Sequence, residues 1–408
     1  MAGYVPGGSA WGVRLILTFG MSGGAAPNTK IIDWLRFWLA AYVCLHHASY
    51  LLWQNPAFSE EILPFALAPR AEPGVLTSVL AGLSLFWEEA VHLFFIISGF
   101  CIHYRLAAQP GDVGHARFSA SAYLKHRMLR IVPPCWAAIV MTWAVDSIGR
   151  SVFPGLYDQP FLANQTGRGW FHFVGNLLFL QQDTGPVKLY GSNVVLWSLH
   201  CEMMYYLVYP IVIAMASRAR VKVWVWLGCF LASVGVLVVF PGNALPRAVR
   251  EAHFWFGGAL LAEVFLRHGW RAGWWAVVLG GVMVTHESFL RWIGVPPWIP
   301  ERVLGITGKL VKLGGGELFF LGLLSVSQAG SVLGRLTGRF DFKMNPGYSL
   351  YLIHFPLLAL VSSLWLGWRG PLPTSPWLGL AAASAVMVLS FGFYKLVEEP
   401  SVRLKSRV

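Results

Sequence analysis

The sequence predicts an all-α protein, a polytopic membrane helix bundle of about ten transmembrane helices with both termini in the cytoplasm. Three observations support this fold class: the composition, the recurrence of long apolar stretches, and the uneven distribution of basic residues. The 408 residues are 56% hydrophobic and only 12% charged, whereas soluble domains contain roughly 25% charged residues. A chain of this composition is expected to have the bilayer as its main solvent.

Apolar stretches of the length that crosses a bilayer as a helix, about 20 residues, occur along the whole chain. Short segments rich in Pro, Gly and Arg separate them. The predicted spans are approximately residues 31–53, 83–104, 131–149, 194–217, 223–240, 253–267, 273–287, 314–331, 347–367 and 377–397.

Three longer connections, 55–82, 147–193 and 288–313, are expected on the outer side. The middle one contains Trp170 and Phe171, which are typical of an amphipathic helix at the outer surface. A loop packed on the bundle explains these residues equally well, and the sequence leaves the choice open.

The basic residues orient the bundle. With the N-terminus inside, 20 of the 31 lysines and arginines lie on the inner side, as the positive-inside rule requires. The formal net charge of +12 therefore reflects topology and attraction to anionic membrane lipid, and no nucleic-acid partner is expected.

The predicted transmembrane domain covers residues 28–404. Residues 1–27 are expected to form a poorly ordered extension and residues 405–408 a short cytoplasmic tail. The five cysteines have neither metal-ligand nor redox spacing, so no metal site is expected.

Ionisable residues inside a span are candidates for function because they are costly to bury in hydrocarbon. In the first span, Arg36 and His47 are eleven residues apart, so they share a helix face and are separated by about 16 Å along the axis. This spacing suits a ligand with an anionic head and a reactive end, with His47 as the base. Alternatively, Arg36 extends to the headgroups and His47 bonds a neighbouring helix.

Other spans add further candidates. Arg127 and Arg130 are one turn apart at the inner end of the third span, where they can bind phosphate or form an ordinary basic flank. Glu202, in the fourth span, needs a partner in lipid, and we favour a role in orienting a histidine over a proton carrier or a structural hydrogen bond. In the ninth span, Tyr351 and His354 are one turn apart.

Six segments, taken in order, resemble the acyltransferase-3 family of bacterial membrane acyltransferases. Each is weak alone, but together they follow the family's order across residues 28–404. They are Ile-Asp-Trp-Leu-Arg36 through His47, Leu-Phe-Phe-Ile-Ile-Ser-Gly-Phe100, Arg127-Met-Leu-Arg130, Trp197-Ser-Leu-His-Cys-Glu202, Tyr348-Ser-Leu-Tyr-Leu-Ile-His354 and Glu398-Glu-Pro-Ser401.

The resemblance implies a ten-helix enzyme of the bacterial cytoplasmic (inner) membrane. It would move an acyl group, commonly acetyl, from cytoplasmic acyl-CoA to a hydroxyl of a cell-surface or exported glycan, free or lipid-linked. The family's Arg-x10-His element matches Arg36 and His47, and its Arg-x-x-Arg element matches Arg127 and Arg130.

These elements divide the candidates into two groups. The resemblance implies that His47 deprotonates the acceptor or carries the acyl group. The three arginines would bind CoA phosphates or shape the surroundings of the histidine. We therefore take His47, Glu202 and His354 as candidate catalytic residues, and the arginines as candidate CoA-binding residues.

The sequence departs from the family pattern at two positions. His92 stands where an acidic residue is common, and His200 where a small residue is expected. Some members carry a fused soluble SGNH domain, so we expect a separate periplasmic partner to supply any such activity here. A transporter of a sugar or lipid-linked sugar is the alternative function, but the internal repeats common in transporters are not visible.

Overall fold

The computed structural model is almost entirely helical. It describes residues 29–55, 74–109, 118–182, 185–218, 222–240, 245–268, 273–293, 301–327, 331–339 and 345–406. The predicted extension 1–27 lies outside these residues, and the predicted tail 405–408 overlaps the last helix, which runs to Ser406.

A helix coincides with each of the ten predicted spans. They are α1 (Thr29–Leu51), α2 (Trp87–Ala107), α3 (Ala120–Val152), α4 (Leu196–Arg218), α5 (Lys222–Val239), α6 (Ala252–His268), α7 (Trp274–Ile293), α8 (Glu301–Val326), α9 (Gly347–Arg369) and α10 (Trp377–Phe393).

Shorter elements connect these helices. The short helices are Val75–Leu83, Pro160–Ala163, Trp170–Leu177, Arg247–Arg250, Val332–Arg339 and Glu399–Ser406. Two 3₁₀ turns, Ser84–Phe86 and Pro154–Leu156, and a π-helical segment, Tyr394–Glu398, complete the helical structure. The strands β1 (Thr166–Gly167) and β2 (Leu189–Tyr190) form a parallel pair.

Among the described residues, six helical stretches are long and apolar enough to cross a membrane. They include α2, α3, α4, α5, α9 and α10. The helices α1, α6, α7 and α8 also coincide with predicted spans, but each is shorter or less apolar than these six stretches. Two of these four helices, α1 and α8, carry several charged residues. These charged side chains lower the mean hydropathy of the two helices.

The inner end of α3 differs from the prediction. The helix begins at Ala120 instead of residue 131, and the Ser119 side chain caps it by accepting a hydrogen bond from the Ala122 N–H at 3.3 Å. Pro133 and Pro134 lie within the helix without ending it. The predicted basic flank is therefore helical, which confirms that Arg127 and Arg130 are one turn apart.

The start of α8 also corrects the prediction. Residues 301–313 were expected in an outer loop, but they form the first half of this helix. The charge of Lys312 explains the error, because its ammonium lies 3.0 Å from Glu89 and 3.1 Å from Glu287 on neighbouring helices. Paired in this way, a lysine can lie within a buried helix.

The described part of the connection between α3 and α4, residues 153–182 and 185–195, is called the outer cap. Its helix Trp170–Leu177 confirms the predicted helical segment, and Trp170 and Phe171 are exposed. The same helix is packed on α3, since the Trp136 indole donates a hydrogen bond to the Leu177 carbonyl at 2.8 Å. The segment is thus a helix with exposed aromatic residues, and it is also packed on the bundle.

Hydrogen bonds anchor the outer cap to α3. The Asp146 carboxylate accepts bonds from the Ser192 backbone N–H and hydroxyl, both at 2.6 Å. At the cap's surface, hydrogen bonds from Arg150 and Arg168 hold the pKa of Asp158 below its usual range. The cap therefore covers the outer ends of the helices that carry the site.

Glycines allow α2 and α6 to pack closely. A Cβ atom at Gly99 would overlap the Trp255 carbonyl oxygen, and one at Gly258 would overlap the Ile96 carbonyl oxygen. Such contacts are typical of membrane helices that associate through small residues.

We expect Gly258→Ala to destabilise the bundle by about 1–3 kcal/mol, because the added methyl must push α2 and α6 apart. The measurement is thermal unfolding of the purified protein in detergent. The matched control is Gly235→Ala on α5, where an added Cβ has no neighbour within 4 Å. Equal melting temperatures for both variants would contradict the tight α2–α6 contact.

Candidate active site

Two histidines far apart in sequence meet in the core. The Nδ1 atom of His47 on α1 lies 2.9 Å from the Nε2 atom of His354 on α9. His354 has no exposed surface, whereas His47 keeps 4% of its own. Both members of this histidine pair are therefore buried, and only His47 retains any exposed surface.

The hydrogen bonds determine which nitrogens of the pair carry protons. The Leu350 carbonyl, 3.1 Å from His354 Nδ1, can only accept, so that nitrogen carries hydrogen. In a neutral ring the Nε2 of His354 is then an acceptor, and His47 Nδ1 must donate to it. Burial disfavours a charged imidazole, so His47 is left with an unprotonated Nε2, the form that a base or nucleophile needs.

Aromatic rings surround the histidine pair. The His46 ring is stacked on Trp87, with centroids 5.2 Å apart, and its Nδ1 lies 2.7 Å from the Ser84 carbonyl. Phe355 is edge-on to His47 at 4.9 Å between centroids. Trp87 and Tyr50 each contact both His46 and His47, so the two neighbouring histidines share one aromatic surround.

The three arginines lie together at the other end of α1. The charges of Arg36, Arg127 and Arg130 all act on the Cys101 thiol of α2. Arg127 also lies over the rings of Tyr123 and Tyr206, 5.4 and 5.2 Å from their centroids. We call Arg36, Arg127 and Arg130 the arginine cluster.

Carboxylates balance part of this positive charge. Asp33, Glu202 and Glu398 all lie within electrostatic range of Arg130. Glu398 also accepts a hydrogen bond from Ser349 at 2.6 Å. The charge of the arginine cluster is thus partly offset by nearby carboxylates.

The structure revises the role of Glu202. Its carboxylate accepts hydrogen bonds from the Tyr206 hydroxyl and from Ser98 at 3.2 Å. Neither partner is a histidine, because this face of α4 is directed toward α2 and the arginine cluster. The contacts therefore favour a role beside the arginines and not one of orienting the histidine pair.

The two departures from the family pattern have structural partners. His200 bonds the Phe179 carbonyl of the outer cap at 2.6 Å. His92 is stacked on Phe254, with centroids 4.0 Å apart, and lies 3.4 Å from Glu251. Both histidines therefore hold neighbouring segments in place.

Sequence reasoning missed one part of the surroundings. The Tyr351 hydroxyl bonds the Ser198 hydroxyl at 2.8 Å, and its ring lies 5.8 Å from His354. Arg247 stands over Trp197, the residue before Ser198. In the sequence, Arg247 is distinguished only by following Pro246 directly and by lying near Glu251. That pattern is a weak indication of function.

Together these features define a polytopic helical membrane protein with two buried histidines toward one end of α1 and the arginine cluster toward the other. The chain belongs to the acyltransferase-3 family, whose acyltransferase domain matches residues 29–395. It is also similar to acyltransferase MdmB of Streptomyces mycarofaciens. The two are 23% identical over 344 residues, which cover 78% of this chain and 81% of that protein. No solved structure matches the chain.

Family membership makes the protein a membrane acyltransferase and sets the transporter alternative aside. It also agrees with the fold, since the matched region contains all ten helices α1 to α10. The remaining questions concern the donor, the acceptor and the residues that act on them.

The proton arrangement of the histidine pair can be measured directly. In protein labelled with ¹⁵N-histidine and reconstituted into nanodiscs, we expect His47 to have a protonated Nδ1 and an unprotonated Nε2. His354→Ala should abolish this preference, because the acceptor for His47 Nδ1–H is then lost. A signal from a protonated His47 Nε2 in the wild type would contradict the arrangement.

Proposed function

We propose that this enzyme transfers an acyl group, acetyl first of all, from acyl-CoA in the cytoplasm to a hydroxyl of a cell-surface or exported glycan. The observation that carries the proposal is the arrangement on α1. Arg36 of the arginine cluster and His47 of the histidine pair share one face and lie about 16 Å apart along the axis.

The chemistry of acyl-CoA suits this spacing. Its phosphates are anionic, its thioester is reactive, and a long flexible arm separates them. Guanidinium groups bind phosphate through charge-assisted, often bidentate hydrogen bonds. With the phosphates on the arginine cluster, the thioester would extend toward His47.

His47 then acts on the acceptor. Its Nε2 takes the proton from the acceptor hydroxyl as the oxygen attacks the acyl carbon. The O–acyl bond forms, the thioester C–S bond breaks, and CoA leaves as a thiolate that takes up one proton. His354 does not touch the reactants in this scheme, and it holds His47 in the tautomer with a free Nε2.

The proposed location is the bacterial cytoplasmic membrane. There the arginine cluster faces the pool of cytoplasmic acyl-CoA, as the positive-inside rule implies. The histidine pair lies nearer the outer end, where an exported glycan would be presented.

Replacing His47 should abolish transfer. With purified protein, radiolabelled acetyl-CoA and glycan acceptors, we expect His47→Ala to lower kcat by about 10²- to 10⁴-fold, the usual contribution of a general base. His354→Ala should cause a smaller loss. The matched control is His286→Ala, whose ring bonds the Met283 carbonyl of its own helix. Undiminished transfer in folded His47→Ala would remove this residue from the mechanism.

The same labelled donor distinguishes direct transfer from an acyl-histidine. If His47 acts only as a base, no label should remain on the denatured protein when acceptor is omitted. Label that is retained by the wild type and lost in His47→Ala would establish a covalent intermediate.

Replacing Arg127 should weaken donor binding. We expect Arg127→Ala to raise the dissociation constant of CoA by roughly 10- to 100-fold, the effect of losing a hydrogen bond to a charged group. Calorimetry in detergent is the measurement. The control is Lys125→Ala, an exposed cation on the same helix. An unchanged CoA affinity in Arg127→Ala, with the melting temperature retained, would remove this arginine from the donor site.

A further inference from the structure

A second polar group lies outward of the histidine pair, and the scheme above does not use it. Its central residue is Arg247, in the short helix Arg247–Arg250 between α5 and α6. The guanidinium carbon is 3.5 Å from the centroid of the Trp197 ring. The same guanidinium lies 3.5 Å from the Glu88 carboxylate of α2.

Side-chain contacts connect this group to the reacting histidines. Trp197 is followed by Ser198, whose hydroxyl bonds the Tyr351 hydroxyl at 2.8 Å. The Tyr351 ring is 5.8 Å from the ring of His354, and the charge of Arg247 is near enough to act on the Tyr351 phenol. Arg247 is therefore linked to the histidine pair through Ser198 and Tyr351, on the side opposite the arginine cluster.

The pair of Arg247 and Glu88 remains accessible. Their side chains are 20% and 39% exposed, whereas Glu89 and Lys312 behind them are 2% and 5% exposed. A separation of 3.5 Å is also longer than the roughly 2.7–2.9 Å of a close guanidinium–carboxylate bond. Both groups are thus placed to bind a molecule that comes from outside.

Buried ion pairs lie on the protein-interior side of Arg247 and Glu88. Lys312 of α8 contacts Glu89 at 3.0 Å and Glu287 at 3.1 Å, and it reaches Glu88 at 3.9 Å. Lys309 contacts Glu251, the residue that follows the short helix, at 2.7 Å. Since α2, α7, α8 and the segment before α6 all take part, the position of Arg247 relative to Glu88 is set by several helices.

The charges determine which ligands suit this site. A guanidinium donates hydrogen bonds and a carboxylate accepts them, so together they match a pair of neighbouring hydroxyls, each of which can do both. The positive charge of Arg247 is offset by Glu88, and Glu89 adds another carboxylate nearby. Lys312 and Lys309 behind the site are paired with Glu89, Glu287 and Glu251, so no surplus positive charge is left to attract an anionic group. A neutral polyhydroxylated molecule needs none.

We propose that Arg247 and Glu88 form the acceptor subsite of this enzyme and bind neighbouring hydroxyls of a neutral sugar, so that a further hydroxyl reaches His47. The inference rests on the proposed acyl transfer and adds the class of acceptor to it. Trp197 supports the subsite by holding the guanidinium flat against its ring, an arrangement available to arginine but not to lysine.

The test compares a neutral methyl hexoside with the matching methyl uronide as acceptors, using saturating radiolabelled acetyl-CoA. For the neutral sugar we expect Arg247→Ala to raise the acceptor KM about 10-fold or more, with the dissociation constant of CoA unchanged. Arg247→Lys should recover only part of this loss. The control is Arg168→Ala, which removes an exposed arginine–carboxylate pair in the outer cap and should behave as wild type.

Glu88→Gln provides a readout that a purely structural role would not move. Without the carboxylate, the ratio of kcat/KM for hexoside over uronide should fall, because Glu88 then no longer offsets the positive charge of Arg247. This variant keeps the side chain's shape, so the test stands even if Arg247→Ala fails to fold.

Three results would overturn the subsite. They are an unchanged acceptor KM in folded Arg247→Ala, an unchanged selectivity ratio in Glu88→Gln, and full recovery by Arg247→Lys. Wild-type protein that binds acetyl-CoA but acylates neither sugar would also overturn it, and would leave the donor half of the proposed function standing. Loss of CoA binding by the wild type would instead refute the proposed function itself.

Discussion

An ionisable group inside a bilayer is stable only when the bundle supplies a partner for it. Several buried groups of this protein follow that constraint. Lys312 lies among carboxylates of α2 and α7, His103 bonds Glu263 at 2.9 Å, and His354 lies between His47 and the Leu350 carbonyl. Apart from the bond between His354 and Leu350, which lies within α9, each of these contacts joins residues on different helices. The partners of the polar groups therefore determine which helices are neighbours in the bundle.

The same constraint separates the arginine cluster from the histidine pair along α1. Arg36 and His47 belong to one continuous helix, so the distance between the arginine cluster and the histidine pair is held by backbone hydrogen bonds. At one end, guanidinium groups are offset by Asp33, Glu202 and Glu398. At the other end, neutral imidazoles are enclosed by aromatic rings. An enzyme that binds an anionic donor at one surface and activates a hydroxyl near the other needs this separation.

The sequence predicted best what depends on local properties. Each of the ten apolar stretches coincides with a helix, and the shared face of Arg36 and His47 follows from 3.6 residues per turn. The errors occurred where distant residues changed a local preference. Helix α8 extends through Lys309 and Lys312 because carboxylates from other segments neutralise them, and no nearby residue signals this.

The sequence by itself thus determined the membrane class and a helix at each of the ten apolar stretches, because hydropathy and helical periodicity are local. The tertiary structure decided the partners. It placed His354 on His47 across 307 positions of sequence, placed Glu202 beside Ser98 and Tyr206, and brought Arg247 to Glu88 and Trp197. Helical periodicity specifies the face on which a side chain lies, but the packing of the whole bundle decides which helix that face meets.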